Sequence, residues 1–157
     1  MTAQTEGNVK QELWEAIEAG DRALDSLRSA QKALGSAKNW GLFDLLGGGF
    51  VAGMVKRGRM KDASRFMEEA RRDLRIFETE LRDVEIASGL NLETDDFLAF
   101  ADFFFDGAVA DFLMQTRIAE TKEKVDEAID RVTFLLATLQ ERYGRMTGSQ
   151  SSDRAMK

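Results

Sequence analysis

Apolar residues recur along most of this chain at alternating spacings of three and four positions. This is the heptad pattern of helices that pack along one stripe. The three stripes are Leu13, Ile17, Gly20, Leu24, Leu27, Gln31 and Leu34; then Met60, Ala63, Met67, Ala70, Leu74, Phe77, Leu81 and Val84; then Ile118, Lys122, Val125, Ile129, Val132, Leu136, Leu139 and Tyr143. The pattern predicts an all-α fold, an antiparallel helical bundle of three long heptad-patterned helices with shorter glycine-broken helical segments.

Capping and breaking residues set the expected boundaries of these helices. The predicted helices cover residues 8–38, 50–87 and 96–104, followed by a last helix that ends near Tyr143. Asn8, and Thr94 or Asp95, are the expected N-caps, and Gly89 is the expected C-cap of the second helix. Residues 1–7 and 145–157 contain few apolar side chains, so we expect flexible tails around a single domain at 8–144.

Two positions interrupt the first stripe. A glycine such as Gly20 lets a neighbouring backbone approach closely, and a glutamine such as Gln31 can set the register between helices. Heptad seams also tolerate isolated imperfections, and we interpret both residues in that way.

A glycine-rich apolar stretch follows the first stripe, with five glycines between Gly41 and Gly53. Its Phe43-Asp44 pair and the residues after it are partly repeated from Phe105-Asp106 onward. Two related structural units would give this repeat, and so would chance in a helical protein. Both interpretations remain open.

The segment around Asp106-Gly107 has two alternative structures. If residues 96–104 turn back as a helical hairpin, the following long helix overhangs its partner, and a second subunit must cover its apolar stripe. If Asp106-Gly107 is only a kink, one bent helix packs up-down-up with the other two. The kink is the more economical interpretation, and each alternative leaves some apolar stripe for a partner.

Phenylalanines are too dense in the third quarter of the chain to face one core. They are Phe97, Phe100, Phe103, Phe104, Phe105 and Phe112. A helix that is apolar on several sides is buried all round or covered by a partner. This density predicts oligomerisation, for which we expect a homodimer, or insertion into an apolar medium.

Charge is unevenly distributed along the chain, whose net charge is -6. Eight Lys or Arg lie between Lys56 and Arg75, whereas residues 83–116 contain eight acidic residues and no basic one. We favour an arrangement in which these regions meet, within the fold or across a dimer. The alternative makes the basic patch, Lys56, Arg57, Arg59 and Lys61, a site for phosphate or for an anionic membrane surface.

Composition argues against catalysis. The chain has no cysteine and no histidine, so it lacks disulfides, the usual zinc ligands and the usual general base. Gly47-Gly48-Gly49 lacks the Lys-Ser/Thr ending of a phosphate loop. The aspartates Asp95, Asp96, Asp102, Asp106 and Asp111 could ligate Mg²⁺, but the Glu-x-x-His pattern of di-iron bundles is absent. We predict no enzyme activity, no cofactor and no metal.

The amino terminus, Met-Thr-Ala-Gln-Thr-Glu-Gly, has neither the basic start nor the apolar core of a signal peptide. No uncharged apolar run reaches the length of a membrane-spanning helix. We therefore expect a cytoplasmic protein, and the negative net charge argues against nucleic-acid binding.

Three motifs resemble those of a group of small bacterial helical proteins to which no activity is assigned. They are residues 39–44, Asn-Trp-Gly-Leu-Phe-Asp; residues 47–49, Gly-Gly-Gly; and residues 104–111, Phe-Phe-Asp-Gly-Ala-Val-Ala-Asp. The resemblance would cover about residues 10–143. It implies a bacterial, cytoplasmic, helical protein and adds no mechanism or site residue.

These patterns favour a non-catalytic, self-associating helical module that binds a protein partner through glycine-rich and phenylalanine-rich apolar surfaces. The expected interaction surface comprises Trp40, Phe43, Phe50, Met54, Phe97, Phe103, Phe105 and Phe112. The alternative function is a peripheral membrane protein that uses the glycine-rich segment together with the basic patch.

Overall fold

The computed structural model describes the backbone of residues 3–45, 50–105 and 118–155, and within these the side chains of residues 3–35, 62–101 and 120–148. The helices are α1 (Ala3–Leu45), α2 (Phe50–Ser88), α3 (Thr94–Phe105) and α4 (Ile118–Ala155). In the described part of the chain only the turn at residues 89–93 is not helical. The all-α prediction is confirmed.

Helix α1 packs antiparallel against α2. The Ser26 hydroxyl donates a hydrogen bond to the Asp73 carboxylate, and both residues lie near the middle of their helices. Earlier on α1, Glu12 lies beside Glu80, which comes later on α2. The contacts thus run in opposite order along the two helices, as expected for antiparallel neighbours.

Helix α4 packs along another side of α1, also antiparallel to it. The Gln31 amide donates to the Asp126 carboxylate over 2.6 Å. Closer to the start of α1, the Trp14 ring lies 5.6 Å from that of Tyr143, near the end of α4. Helix α1 therefore carries two packing faces, one for each of the other long helices.

The stripe residues with described side chains form the core. All are buried except Gln31, Lys122, Ile129 and Tyr143, which are partly buried. A second stripe on α1 consists of small residues, Ala16, Ala19, Ala23 and Ala30, all buried. It continues through Ser26 and Glu12, both of which contact α2, so the small residues belong to the α1–α2 face. Small side chains allow two helices to pack closely.

The two interruptions of the first stripe make specific contacts, so our interpretation of them as merely tolerated is wrong. Gly20 lies against the side chains of Phe77 and Leu136, where α1, α2 and α4 meet. Gln31 bonds Asp126 across the α1–α4 face. At Gly20 the packing leaves no room for a side chain, and at Gln31 the side chain makes a polar contact between α1 and α4.

The helices extend beyond the expected boundaries at both ends of the chain. Helix α1 begins at Ala3, and α4 continues past Gly144 to Ala155, where the sequence led us to expect flexible tails. An exposed glycine costs a helix only about 1 kcal/mol, and the chain contains no proline to stop it. An ion pair between Arg145 and Glu141, four residues apart, spans Gly144 within α4.

The turn between α2 and α3 follows the expected glycine chemistry. Gly89 has φ of 72° and its N–H donates to the Glu85 carbonyl over 2.9 Å, which confirms it as the C-cap of α2. Helix α3 begins at Thr94, but the Thr94 hydroxyl donates to the Glu85 carboxylate. The Thr94 side chain, an expected N-cap of α3, is therefore engaged in a tertiary contact with α2.

Side chains of α3 and α4 contact each other, so the kinked continuous helix is wrong. The Arg131 guanidinium lies 4.5 Å from the centre of the Phe100 ring. In one continuous helix these residues would be about 46 Å apart at ~1.5 Å per residue. Helix α3 also packs on α2, where the ring of Phe97 meets that of Phe77 edge-on at 5.8 Å. It therefore packs on α2 and reaches α4 through the contact between Phe100 and Arg131.

Candidate functional site

A groove of about 240 Å³ opens to solvent between α4 and the start of α3. We call it the α3–α4 groove. Its apolar floor is formed by Leu92, Phe97 and Leu135, which are 7%, 3% and 8% exposed. Phe134 stands at its edge with 72% of its surface exposed. The exposed Phe134 ring therefore extends the apolar floor toward solvent.

Helix geometry explains why the groove lies here. Leu135 and Leu136 are consecutive buried residues, and the latter contacts Gly20 of α1. Consecutive residues are turned by about 100° around a helix, so Leu135 is free to face α3 instead. Phe134 precedes Leu135 and is turned by about another 100° around the helix, where neither α1 nor α3 covers it.

The rim of the groove is acidic. Glu93, Asp96 and Asp130 are exposed carboxylates that line it. Its basic residue, Arg131, lies on the Phe100 ring and forms an ion pair with Glu127 at 3.6 Å. The rim therefore has an excess of negative charge around an apolar floor, which suits an apolar group that carries a positive charge.

A carboxylate cluster forms a second unusual site, on the α1–α2 face. Oxygen atoms of Glu12, Glu15 and Glu80 all lie within 4.8 Å of one another. One oxygen of Glu12 and one of Glu80 are buried without a hydrogen-bond partner. Burial raises the pKa of both carboxyls, and the charges of Glu15 and Asp83 raise each pKa further. The cluster therefore favours protonation.

The carboxylate cluster could hold a proton shared between acids or a hard divalent cation, since carboxylate oxygens are the ligands that Ca²⁺ and Mg²⁺ prefer. Acidic clusters are common without an ion, and none of its side chains is a nucleophile activated by a neighbouring base. The cluster thus provides no reaction on its own, and the predictions of no metal and no enzyme activity stay predictions.

Of the expected interaction surface, the structure describes only the side chain of Phe97. Phe97 is buried against Phe77, because α3 packs it onto α2, and it forms part of the groove floor. The other seven lie outside the residues whose side chains are described, as do all four residues of the basic patch. They are Trp40, Phe43, Phe50, Met54, Phe103, Phe105 and Phe112, with Lys56, Arg57, Arg59 and Lys61.

Sequence reasoning missed both the groove and the carboxylate cluster. For the cluster a signal existed, because Glu12 extends the heptad spacing of Ala16, Ala19 and Ala23 and so had to lie on a helix-packing face. For the groove no comparable signal existed. Phe134 falls beside the third stripe, and its exposure depends on where α3 packs against the long helices.

Comparison of the chain with protein-family models, with curated proteins and with solved structures found no match. Within the described helices, none contains a stretch long and apolar enough to cross a membrane.

Proposed function

We propose that the protein is a non-catalytic helical module that self-associates and binds a protein partner through its apolar surfaces. Its framework would be the three long heptad-patterned helices in antiparallel arrangement. The observation that carries the proposal is the exposed ring of Phe134 beside the apolar floor of the α3–α4 groove.

The energetics favour covering this ring. Burying a phenylalanine side chain contributes about 1.5–3 kcal/mol, and a twofold interface would count the contribution twice. Aromatic residues are also over-represented among those that dominate protein interfaces. Phe134 is thus well suited to be a central contact rather than an incidental exposed residue.

The phenylalanine-rich sequence continues along the helix that supplies part of the groove floor. The first turns of α3 supply the groove floor, and Phe103 and Phe105 follow on the same helix. Helix α3 has only α2 and α4 as neighbours among the described elements, and an aromatic segment of this density needs more cover than two helices give. A second copy of the chain would supply it.

Light scattering coupled to size exclusion tests the proposal. We expect a dimer that persists at high salt, because apolar contacts are not screened. Phe134→Ser should raise the dimer dissociation constant by about tenfold or more, equivalent to ~1.4 kcal/mol. Ile76→Ser is the matched control, since Ile76 is also exposed but does not line the groove.

A wild-type protein that stays monomeric at every concentration would overturn self-association. Flotation of such a monomer with anionic vesicles, abolished by Lys56→Glu with Arg59→Glu, would replace the proposal by the peripheral membrane function. Equal effects of Phe134→Ser and Ile76→Ser would show that the groove is not the contact surface.

A further inference from the structure

We infer that the α3–α4 groove receives the basic segment of a second copy of the chain, residues 56–61, and that two copies do so reciprocally. This inference rests on the proposed self-association and names the two surfaces that would meet. It assigns the groove a partner of defined chemistry, a helical segment rich in lysine and arginine.

The groove and the basic segment carry complementary charges. Four of the six residues from Lys56 to Lys61 are basic and none is acidic. The groove rim carries Glu93, Asp96 and Asp130, and its own Arg131 is already engaged by Phe100 and Glu127. Complementary fields steer two proteins together and fix their orientation.

The shape of the groove fits such side chains. A groove of about 240 Å³ has room for one or two long side chains and is too small for a helix about 10 Å wide. Lysine and arginine lay their aliphatic stems on apolar surface and keep the charge at its edge. The exposed Phe134 ring offers the cation a π face at that edge.

Contacts between a cation and the face of an aromatic ring already occur within the chain. Lys10 lies 5.7 Å from the centre of the Tyr143 ring, and Arg131 lies 4.5 Å from that of Phe100. Both bring a cation over an aromatic ring at a helix–helix boundary. The basic segment would repeat this type of contact between two copies.

Geometry requires the contact to be intermolecular. The groove lies level with Phe77 and Glu85 of α2, which contact Phe97 and Thr94 of α3. Residues 56–61 belong to the same continuous helix, and even Lys61 is sixteen residues before Phe77. At ~1.5 Å per residue this is about 24 Å along the axis, so the segment cannot fold back onto its own groove.

The separation of the two surfaces also selects a symmetry. One end of α2 is basic, and the other end is level with the acidic groove. Two copies placed antiparallel would satisfy both contacts at once, which closes the assembly at a twofold dimer. A single head-to-tail contact would leave one groove and one basic segment free, and repeated contacts of this kind would form open-ended filaments.

A charge-swap experiment on the full-length chain tests this pairing. The groove variant carries Asp96→Lys with Asp130→Lys, and the segment variant carries Lys56→Glu with Arg59→Glu. Each reverses one surface, so each homodimer would set like charges against each other. A one-to-one mixture would pair opposite charges at both contacts.

We expect each variant alone to dimerise about tenfold or more weakly than the wild type at low salt, and the mixture to recover wild-type affinity. Matched controls make the same charge changes on exposed α1 positions, Glu18→Lys with Asp21→Lys and Arg28→Glu with Lys32→Glu. These should remain dimeric. Circular dichroism should show unchanged helix content in all variants.

Failure of this inference is distinct from failure of the proposed function. A wild-type dimer that both variants leave intact, or a mixture that does not recover affinity, would overturn the pairing and leave apolar self-association standing. Equal weakening by the controls would also overturn it, because the effect would then follow from net charge. A monomeric wild type would overturn both proposals together.

Discussion

Gly20 of α1 and Leu136 of α4 approach so closely that no side chain fits between them. A Cβ atom built on Gly20 would lie 2.6 Å from Cδ2 of Leu136, and 2.9 Å from Cε1 of Phe77 on α2. Leu136 and Phe77 are both buried, so neither can move aside into solvent. The absence of a side chain at residue 20 thus lets three helices meet at one level.

Gly20→Ala should therefore destabilise the protein, although alanine favours helices. The gain in helix propensity is about 1 kcal/mol, and overpacking a core costs about 1–3 kcal/mol. We expect a net loss of about 1 kcal/mol in the free energy of unfolding, measured by denaturant titration. Gly35→Ala, where no atom lies within 4 Å, should stabilise by about 0.5–1 kcal/mol. Equal stabilisation by both changes would contradict the packing at Gly20.

The hydrogen bond between Gln31 and Asp126 should couple α1 to α4. It is 2.6 Å long and partly buried, so its loss should cost about 1 kcal/mol. Gln31→Ala and Asp126→Ala together should cost less than the sum of the single changes, because each removes the same bond. A double-mutant cycle by urea unfolding measures this coupling, and a coupling energy near zero would mean that the bond contributes nothing to stability.

The two phenylalanines of the groove should differ sharply in their effect on folding. Phe97 is buried and packs edge-on against Phe77, so Phe97→Ala should destabilise by about 3 kcal/mol and weaken the attachment of α3 to α2. Phe134 is 72% exposed, and Phe134→Ala should change the unfolding free energy by less than about 0.5 kcal/mol. Thermal unfolding of protein diluted below its association range separates the two, and similar losses would contradict the exposure of Phe134.

The carboxylate cluster should make stability depend on pH. Burial and like charges raise the pKa of Glu12 and Glu80 above the ordinary value of 4.5, so the folded state holds protons that the unfolded chain has released. This contribution is complete below the unfolded pKa and is lost as pH rises through the raised pKa values. The cluster should therefore stabilise the fold in mild acid and weaken it at neutral pH.

Glu12→Gln with Glu80→Gln isolates this effect, because glutamine has nearly the same shape and no charge. At neutral pH the double variant should be more stable than the wild type by about 1 kcal/mol. The difference should vanish as the pH approaches 4.5. Glu18→Gln, at an exposed position on α1, is the control, and EDTA should be present so that no divalent cation neutralises the cluster. A difference that is constant with pH would contradict the raised pKa values.

Much of the fold was predictable from residue spacing. The stripe from Ala63 to Val84 is buried throughout, and Gly89 ends α2 with the positive φ expected of a C-cap. Boundaries at the chain ends were less predictable, since glycines such as Gly144 stop a helix only where a left-handed conformation is needed. Neither the α3–α4 groove nor the carboxylate cluster was predicted, because each is assembled from helices that are distant in sequence.

Spacing along a helix fixes which residues share a face, because the helix turns by a constant angle per residue. The sequence by itself therefore determined that the chain is helical and which stripes form its core. It could not determine which helix each face would meet. Only the tertiary structure placed Glu12 beside Glu80, laid Phe100 against Arg131, and left Phe134 uncovered, because these relations depend on how separate helices pack in space.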